Sequence, residues 1–249
     1  LVVLPPMLVS LWMTSQLTRS WLVIIVIHNN ASQSNFARNT VKQIYKKMDR
    51  SANNTKKIVV YPGRFVNVYA PKIGVDMVVV LTRAGYHVIV PDNFVCCGVP
   101  LISNGFADEA ERYAMTNTAE LDKWTEEGVP VLAACPRCSL MLKQEYKELF
   151  PNVTTAGRNA RNVVDACEFI AELISSGEWK PEFLKPTESL RGIYHEPCHL
   201  KAQGIGKTGL ELLRMLPGLD ISEADAGCCG ISGSYGFKKD KYQIAMDIG

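Results

Sequence analysis

The chain has 249 residues, enough for one large domain or two of ordinary size, and 47% of them are hydrophobic, which provides a substantial core. A formal net charge of +2, with no Lys/Arg stripe interleaved with aromatics, gives no footprint for nucleic acid. The eight cysteines at 96, 97, 135, 138, 167, 198, 228 and 229 are too sparse for a secreted disulfide scaffold; seven of them sit in CC or CxxC pairs or beside histidines, which indicates metal binding or redox chemistry in a reducing compartment.

The first 27 residues, LVVLPPMLVSLWMTSQLTRSWLVIIVI, are apolar but interrupted. Pro5-Pro6 and several Ser, Thr and Gln residues break the first part, and Arg19 separates it from WLVIIVI. Neither part supplies the roughly 20 clean apolar residues of a membrane span. No basic region precedes the stretch and no small-residue cleavage site follows it, so a secretory signal is not expected. Two readings stay open for residues 1–27: a surface that packs on a membrane or a partner, and a plain buried helix. The chain begins with Leu, so a fragment of a longer protein is expected. Residues 29–56 are polar and form a linker with one short basic helix, which completes an N-terminal segment of 1–56.

From residue 57 strands and helices alternate. KIVVY (57–61) predicts a buried strand, closed by a turn at Pro62-Gly63. A helix over 73–84 ends at Gly85, and HVIV (87–90) is the next strand. An amphipathic helix fits 107–127 and a strand fits 129–134. Helices fit 137–149 and 162–175, a strand GIYH (192–195), a helix 206–216 and a strand LDISEA (219–224). This order predicts an α/β class with mainly parallel sheets.

The motifs fall in register with those strands. PGR follows 57–61, CCG follows 87–90, CPRC follows 129–134, EPCH follows 192–195, and a second CCG follows 219–224. Each lies just past a strand's C-terminal end, the edge where open α/β sheets bind ligands. The order strand–PGR–helix–strand–CCG is repeated as strand–EPC–helix–strand–CCG. Two pseudo-repeated lobes are therefore expected, 57–180 and 188–249, parted by the Pro-containing stretch GEWKPEFLKPTES.

Vicinal cysteines are poor structural disulfide partners, because an eight-membered ring strains the peptide. They suit a small inorganic core on which several thiolates converge. Cys96, Cys97, Cys135 and Cys138 supply four sulfurs, enough for an iron–sulfur cluster or a zinc ion. A thiol-redox CxxC is the third reading, but it leaves CCG without a role. Cys167 lies in VVDACEFIAELI, where Val163, Cys167, Ile170 and Ile174 share one helical face, so it is read as a core residue. Gly98 is expected to let the backbone approach the inorganic core. The run Lys238-Lys239-Asp240-Lys241 is read as a solvated helix face.

The segments PGRFVN, CCGVPLISNG, YHEPCHL and CCGISGSYGFKK resemble the cysteine-rich CCG domain family. That family includes the B subunits of heterodisulfide reductases, glycolate oxidase iron–sulfur subunits and the C subunits of anaerobic glycerol-3-phosphate dehydrogenases, and the resemblance is nearest to the last type. It covers about residues 57–249. The family pattern is a lone Cys, then CC about 30 residues on, then CxxC about 35 further, and it holds an iron–sulfur cluster in the heterodisulfide reductases. Carried over by position, the first lobe offers Cys96, Cys97, Cys135 and Cys138, with Arg64 standing where the lone Cys belongs. Arg cannot ligate iron, so a four-cysteine [4Fe-4S] centre is implied rather than a five-thiolate one, with a cation that raises its potential or binds an anion. The second lobe offers Cys198, Cys228 and Cys229, and the chain stops before its CxxC is due, so this lobe is expected to be truncated. His195 and His199 flank Cys198 as supporting groups.

The resemblance implies an iron–sulfur electron-transfer subunit of a membrane-associated flavin dehydrogenase complex. It would pass electrons from a flavoprotein dehydrogenase subunit, with other iron–sulfur subunits, toward quinone. Flavin and quinone would bind elsewhere, catalysis would reside in the partner, and residues 1–27 would dock peripherally on the cytoplasmic membrane or a membrane subunit. A heterodisulfide or thiol reductase, and a cluster-less or zinc-bound assembly subunit, are the alternatives.

Overall fold

In the computed structural model, residues 28, 30, 31, 35–48, 54–182 and 189–249 are described. The apolar segment 1–27 lies outside them. The chain divides into two compact units, Ala37–Ala224 and a smaller one formed by Leu1–Phe36 with Asp225–Gly249.

The larger unit holds two parallel sheets. Strands β1 (Lys56–Tyr61), β2 (Tyr86–Ile89), β3 (Val131–Ala133) and β4 (Val163–Asp165) form the first, in the order β2-β1-β3-β4. Every neighbour is parallel, with Lys56 opposite Tyr86, Val59 opposite Val131 and Val131 opposite Val163. Strands β5 (Leu190–Tyr194) and β6 (Leu219–Glu223) form the second, with Leu190 opposite Leu219. The α/β class with parallel sheets is thus borne out.

Helices connect these strands. In chain order they are α1 (Val41–Tyr45), α2 (Gly63–Val68), α3 (Pro71–Arg83), α4 (Val99–Ile102), α5 (Ala107–Thr125), α6 (Pro136–Leu140), α7 (Tyr146–Leu149), α8 (Ala156–Asn159), α9 (Ala166–Ser175), α10 (Cys198–Ala202) and α11 (Thr208–Arg214). The smaller unit carries α12 (Tyr242–Ile248). There His28 stacks on Tyr242 with ring centroids 3.9 Å apart, and its backbone N–H donates to Phe237 O at 2.9 Å.

The core follows from strand alternation. Ile58, Val59, Val60 and Tyr61 are all fully buried, because β1 is central and covered on both faces. Val59 and Tyr61 pack with Ala110, Ala114 and Leu121 of α5, and with Met141 and Tyr146. Ile58, Val60 and Leu132 face the opposite layer, with Val41 of α1, Met77, Val78 and Leu81 of α3, and Leu173 of α9. Each such aliphatic side chain contributes about 1.5–3 kcal/mol when buried. The second sheet is thinner, and Leu190 and Ile193 of β5 are exposed.

Two expected helices differ. The helix read over 162–175 starts at Ala166, and Val163–Asp165 is strand β4. Two β-branched valines extend against β3, and Asp165 then caps α9: its Oδ1 accepts from Cys167 N at 2.9 Å, while Glu168 Oε2 accepts from Asp165 N at 3.4 Å. Val163 therefore lies off the helical face that carries Cys167, which is half-buried. The helix read over 137–149 is α6, a π-helical turn at Met141–Glu145, and α7.

Candidate metal centre

Three strand ends build the site. After β1 the chain turns at Pro62-Gly63 into α2; after β2 a loop leads to Cys96-Cys97 and α4; after β3 Cys135 caps α6 and Cys138 lies within it. The strands are parallel, so all three exits fall at one edge of the sheet.

The four first-lobe cysteines meet there. Cys138 Sγ lies 3.6 Å from Cys97 Sγ, and both side chains are buried, while Cys96 and Cys135 are half-buried. Hydrogen bonds from Cys138 and Cys96 hold the Cys97 thiol well below its usual range, and the bond from Cys138 brings Cys135 down to about 7. The donors move the other way: Cys138 is raised by giving to Cys135 and Cys97, and Cys96 by giving to Cys97. Two sulfurs thus lean toward thiolate and two toward thiol. Beside them, burial pushes the hydroxyls of Tyr61 and Tyr146 up, so both stay neutral.

Two glycines shape the site. A Cβ on Gly63 would stand 2.6 Å from Cys138 Sγ, and Gly63 has φ +61. Gly63 thus brings backbone against a sulfur. Gly98, at φ +91, has its backbone N–H on the Cys96 sulfur, and a Cβ there would meet Ala110 of α5 at 3.3 Å, so its bare Cα also admits a helix.

Cations border the cluster. Arg64 is exposed at the start of α2, and its charge favours the thiolate of Cys96. Arg137 favours that of Cys97 and is paired with Glu145 Oε1 at 2.7 Å. Among the described residues no three Cys, His, Asp or Glu groups stand as ligands around one point. The sulfurs meet as a chain of S–H···S contacts instead. Four thiols with cations alongside fit an iron–sulfur centre by donor chemistry, and holding one requires the S–H···S contacts among them to give way.

The loop before Cys96 is held by side chains. Lys42 Nζ donates to Asp92 O at 2.7 Å and Phe94 O at 2.6 Å, and Tyr61 Oη donates to Val95 O at 2.6 Å. Asn117 Oδ1 accepts from Val95 N at 2.9 Å, and its Nδ2 donates to Cys96 O at 3.1 Å and Tyr146 Oη at 2.9 Å.

The second-lobe residues are distributed over the two units. Cys198 opens α10 in the larger unit; it is exposed, with Sγ 3.7 Å from His199 Nδ1. Burial, reinforced by Arg137, lowers the pKa of His199 and keeps it neutral. Gln203 Nε2 ties α10 to α6, donating to His199 O at 2.8 Å, Ser139 Oγ at 2.9 Å and Pro136 O at 3.2 Å. Cys228 and Cys229 belong to the smaller unit and are exposed. Cys228 Sγ accepts from Gly230 N at 3.4 Å.

Residues 58–143 and 193–249 match the model of the cysteine-rich CCG domain. The chain belongs to the CCG cysteine-rich domain family. The C subunit of the anaerobic glycerol-3-phosphate dehydrogenase of Escherichia coli (strain K12) is 37% identical over 202 residues, covering 80% of this chain and 50% of its own length. The B subunit of the fumarate reductase (CoM/CoB) of Methanothermobacter marburgensis is 31% identical over 200 residues, 79% of this chain and 37% of its own. An uncharacterized iron-sulfur protein of Methanocaldococcus jannaschii is 31% identical over 194 residues, 78% of this chain and 35% of its own. The chain thus spans about half the length, or less, of these relatives. No solved structure matches it significantly.

Within the CCG domain, sequence reasoning finds the cysteines and misses the groups behind them. Lys42 and Asn117 lie in no motif. A signal for Asn117 exists in the helix period, since it shares a face with Ala110, Ala114 and Leu121, all buried. An Asn on that face has to find partners in the core.

Proposed function

We infer that this CCG chain is an iron–sulfur electron-transfer subunit of a flavin dehydrogenase complex of the glycerol-3-phosphate dehydrogenase type. The observation that carries this reading is the meeting of four thiols, from CCG and CPRC, at one sheet edge. The names of its relatives, two of them subunits and one an iron-sulfur protein, support it.

Cys96, Cys97, Cys135 and Cys138 would hold a [4Fe-4S] cluster, whose chemistry is one-electron transfer. The chain's own residues set the conditions. Arg64 and Arg137 place positive charge beside the sulfurs and favour the reduced, more negative state. Tyr61 and Tyr146 fill the space behind the thiols and exclude water. Cys198 in the larger unit, and Cys228 and Cys229 in the smaller, would also serve as iron ligands, and the lobes are 57–180 and 188–249. The flavoprotein gives electrons, and quinone takes them after other iron–sulfur subunits. Among the described residues no helix is long and apolar enough to cross a membrane. Association is peripheral, on the cytoplasmic membrane, through residues 1–27.

Iron and acid-labile sulfide analysis on anaerobically purified protein tests this. Iron and sulfide with a signal on reduction support it, and stoichiometric zinc without iron overturns it. A heterodisulfide reductase reading is favoured by one observation, the exposed Cys198 beside His199. Turnover of a mixed disulfide by the isolated chain would select it.

A further inference from the structure

We propose that Asn117 is the positioning residue of the first-lobe centre: with Lys42 it clamps the backbone of the loop that carries Cys96 and Cys97. The proposal rests on the iron–sulfur reading only for its spectroscopic consequence.

The loop from Pro91 to Cys97 follows β2 and has no strand or helix ladder of its own. Its backbone polar groups therefore need other partners. Side chains from distant parts of the chain supply them. Lys42, on α1, takes the carbonyls of Asp92 and Phe94; Tyr61, at the end of β1, takes that of Val95. Asn117 takes the N–H of Val95 and the carbonyl of Cys96, one on each side of the peptide that Cys96 shares with Val95.

Its geometry is specific to an amide. The carboxamide oxygen accepts once, and both N–H groups donate, to Cys96 O and to Tyr146 Oη. Asn117 is fully buried, so water does not replace a lost bond. It sits in the middle of the 19-residue helix α5, the longest helix of the larger unit. A rigid element thus fixes the peptide that bears the first thiol, and the same side chain fixes Tyr146, which packs against the buried sulfurs. Without Asn117 the loop opens more often, and its thiols sample positions that do not match CPRC.

The test compares Asn117→Ala with Asn159→Ala. Asn159 is equally buried and also bridges, to Thr125 and Thr118, but it does not touch the loop. Metal-free full chain is alkylated with iodoacetamide, and labelling at Cys96 and Cys97 is followed by peptide mass spectrometry. Asn117→Ala should speed labelling about tenfold or more, and Asn159→Ala should leave it near the wild-type rate. Lys42→Met, which keeps its apolar stem and only loses the two carbonyl contacts, should speed labelling by a smaller factor; it serves if Asn117→Ala does not fold. Anaerobically iron-loaded protein gives the second readout: Asn117→Ala should alter the electron paramagnetic resonance line shape, and Asn159→Ala should not. Labelling rates that are the same in Asn117→Ala, or in Lys42→Met where only it folds, as in Asn159→Ala overturn the clamp. A wild-type chain that takes up no iron overturns the iron–sulfur reading instead, and the labelling rates still decide the clamp.

Discussion

Cys138 Sγ lies 3.6 Å from Cys97 Sγ, and a Cβ on Gly63 would stand 2.6 Å from Cys138 Sγ. Three motifs that are far apart in sequence, PGR, CCG and CPRC, thus close on one buried sulfur. The contact ties a backbone requirement to a chemical one, because the turn after β1 has room for the thiol only when residue 63 lacks a side chain.

Gly63→Ala should destabilise the fold by about 2–4 kcal/mol, from overpacking against the sulfur and from the left-handed backbone together. Gly85→Ala is the comparison. It has φ +91 but open space around the added Cβ, so only the conformational part remains, about 1–2 kcal/mol. Urea unfolding midpoints check the order. Equal losses at the two sites would mean that the sulfur contact carries nothing.

Arg64 favours the charged form of Cys96 across an exposed position. Arg64→Gln should lower the midpoint potential of a first-lobe cluster by about 20 mV, the equivalent of about 0.5 kcal/mol for one electron. Salt should shrink the difference, since an exposed charge is screened. A redox titration at two ionic strengths measures both. An unchanged potential would remove Arg64 from the electrostatics of the site.

Glu120 gives a pH dependence with a definite sign. Burial alone would raise its carboxyl, but hydrogen bonds from Lys123, Asn93 and Trp124 together hold it below the usual 4.5. A depressed carboxylate contributes stability that is fully present above its unfolded value and is lost as pH falls through the folded one. Glu120→Gln should therefore cost about 1–2 kcal/mol near neutral pH. The deficit should narrow as pH drops below 4.5. Thermal melts across that range follow it. A deficit that is constant down to low pH would assign the loss to packing.

Much of this is legible in the sequence. KIVVY and HVIV are β-rich apolar runs bounded by turn residues, and they match β1 and β2 within one residue. The motif positions are legible for the same reason, because each follows such a run. Strand β4 is not legible: three residues, VVD, join directly to a helix whose apolar period runs back through them, and pairing with β3 decides the matter. The π-helical turn at Met141–Glu145 has no sequence signature that separates it from the α-helix around it. Asn117 is visible only as a polar residue on an apolar helical face, and its partners come from the loop's fold. Gly98 is legible as a glycine whose backbone reaches a sulfur, but its packing against Ala110 is not, since a sequence shows that a glycine is needed without showing all that it faces.

The central claim is that CCG and CPRC of the first lobe jointly hold one iron–sulfur centre. The most direct measurement is the iron and sulfide content of Cys138→Ser, purified without oxygen, beside that of Cys167→Ser. Cys167 is half-buried on α9, and burial pushes its thiol up to about 11, so it serves as the thiol outside the site. The account predicts that Cys138→Ser loses the first-lobe iron and its signal while Cys167→Ser keeps both. Equal iron in the two variants would contradict it.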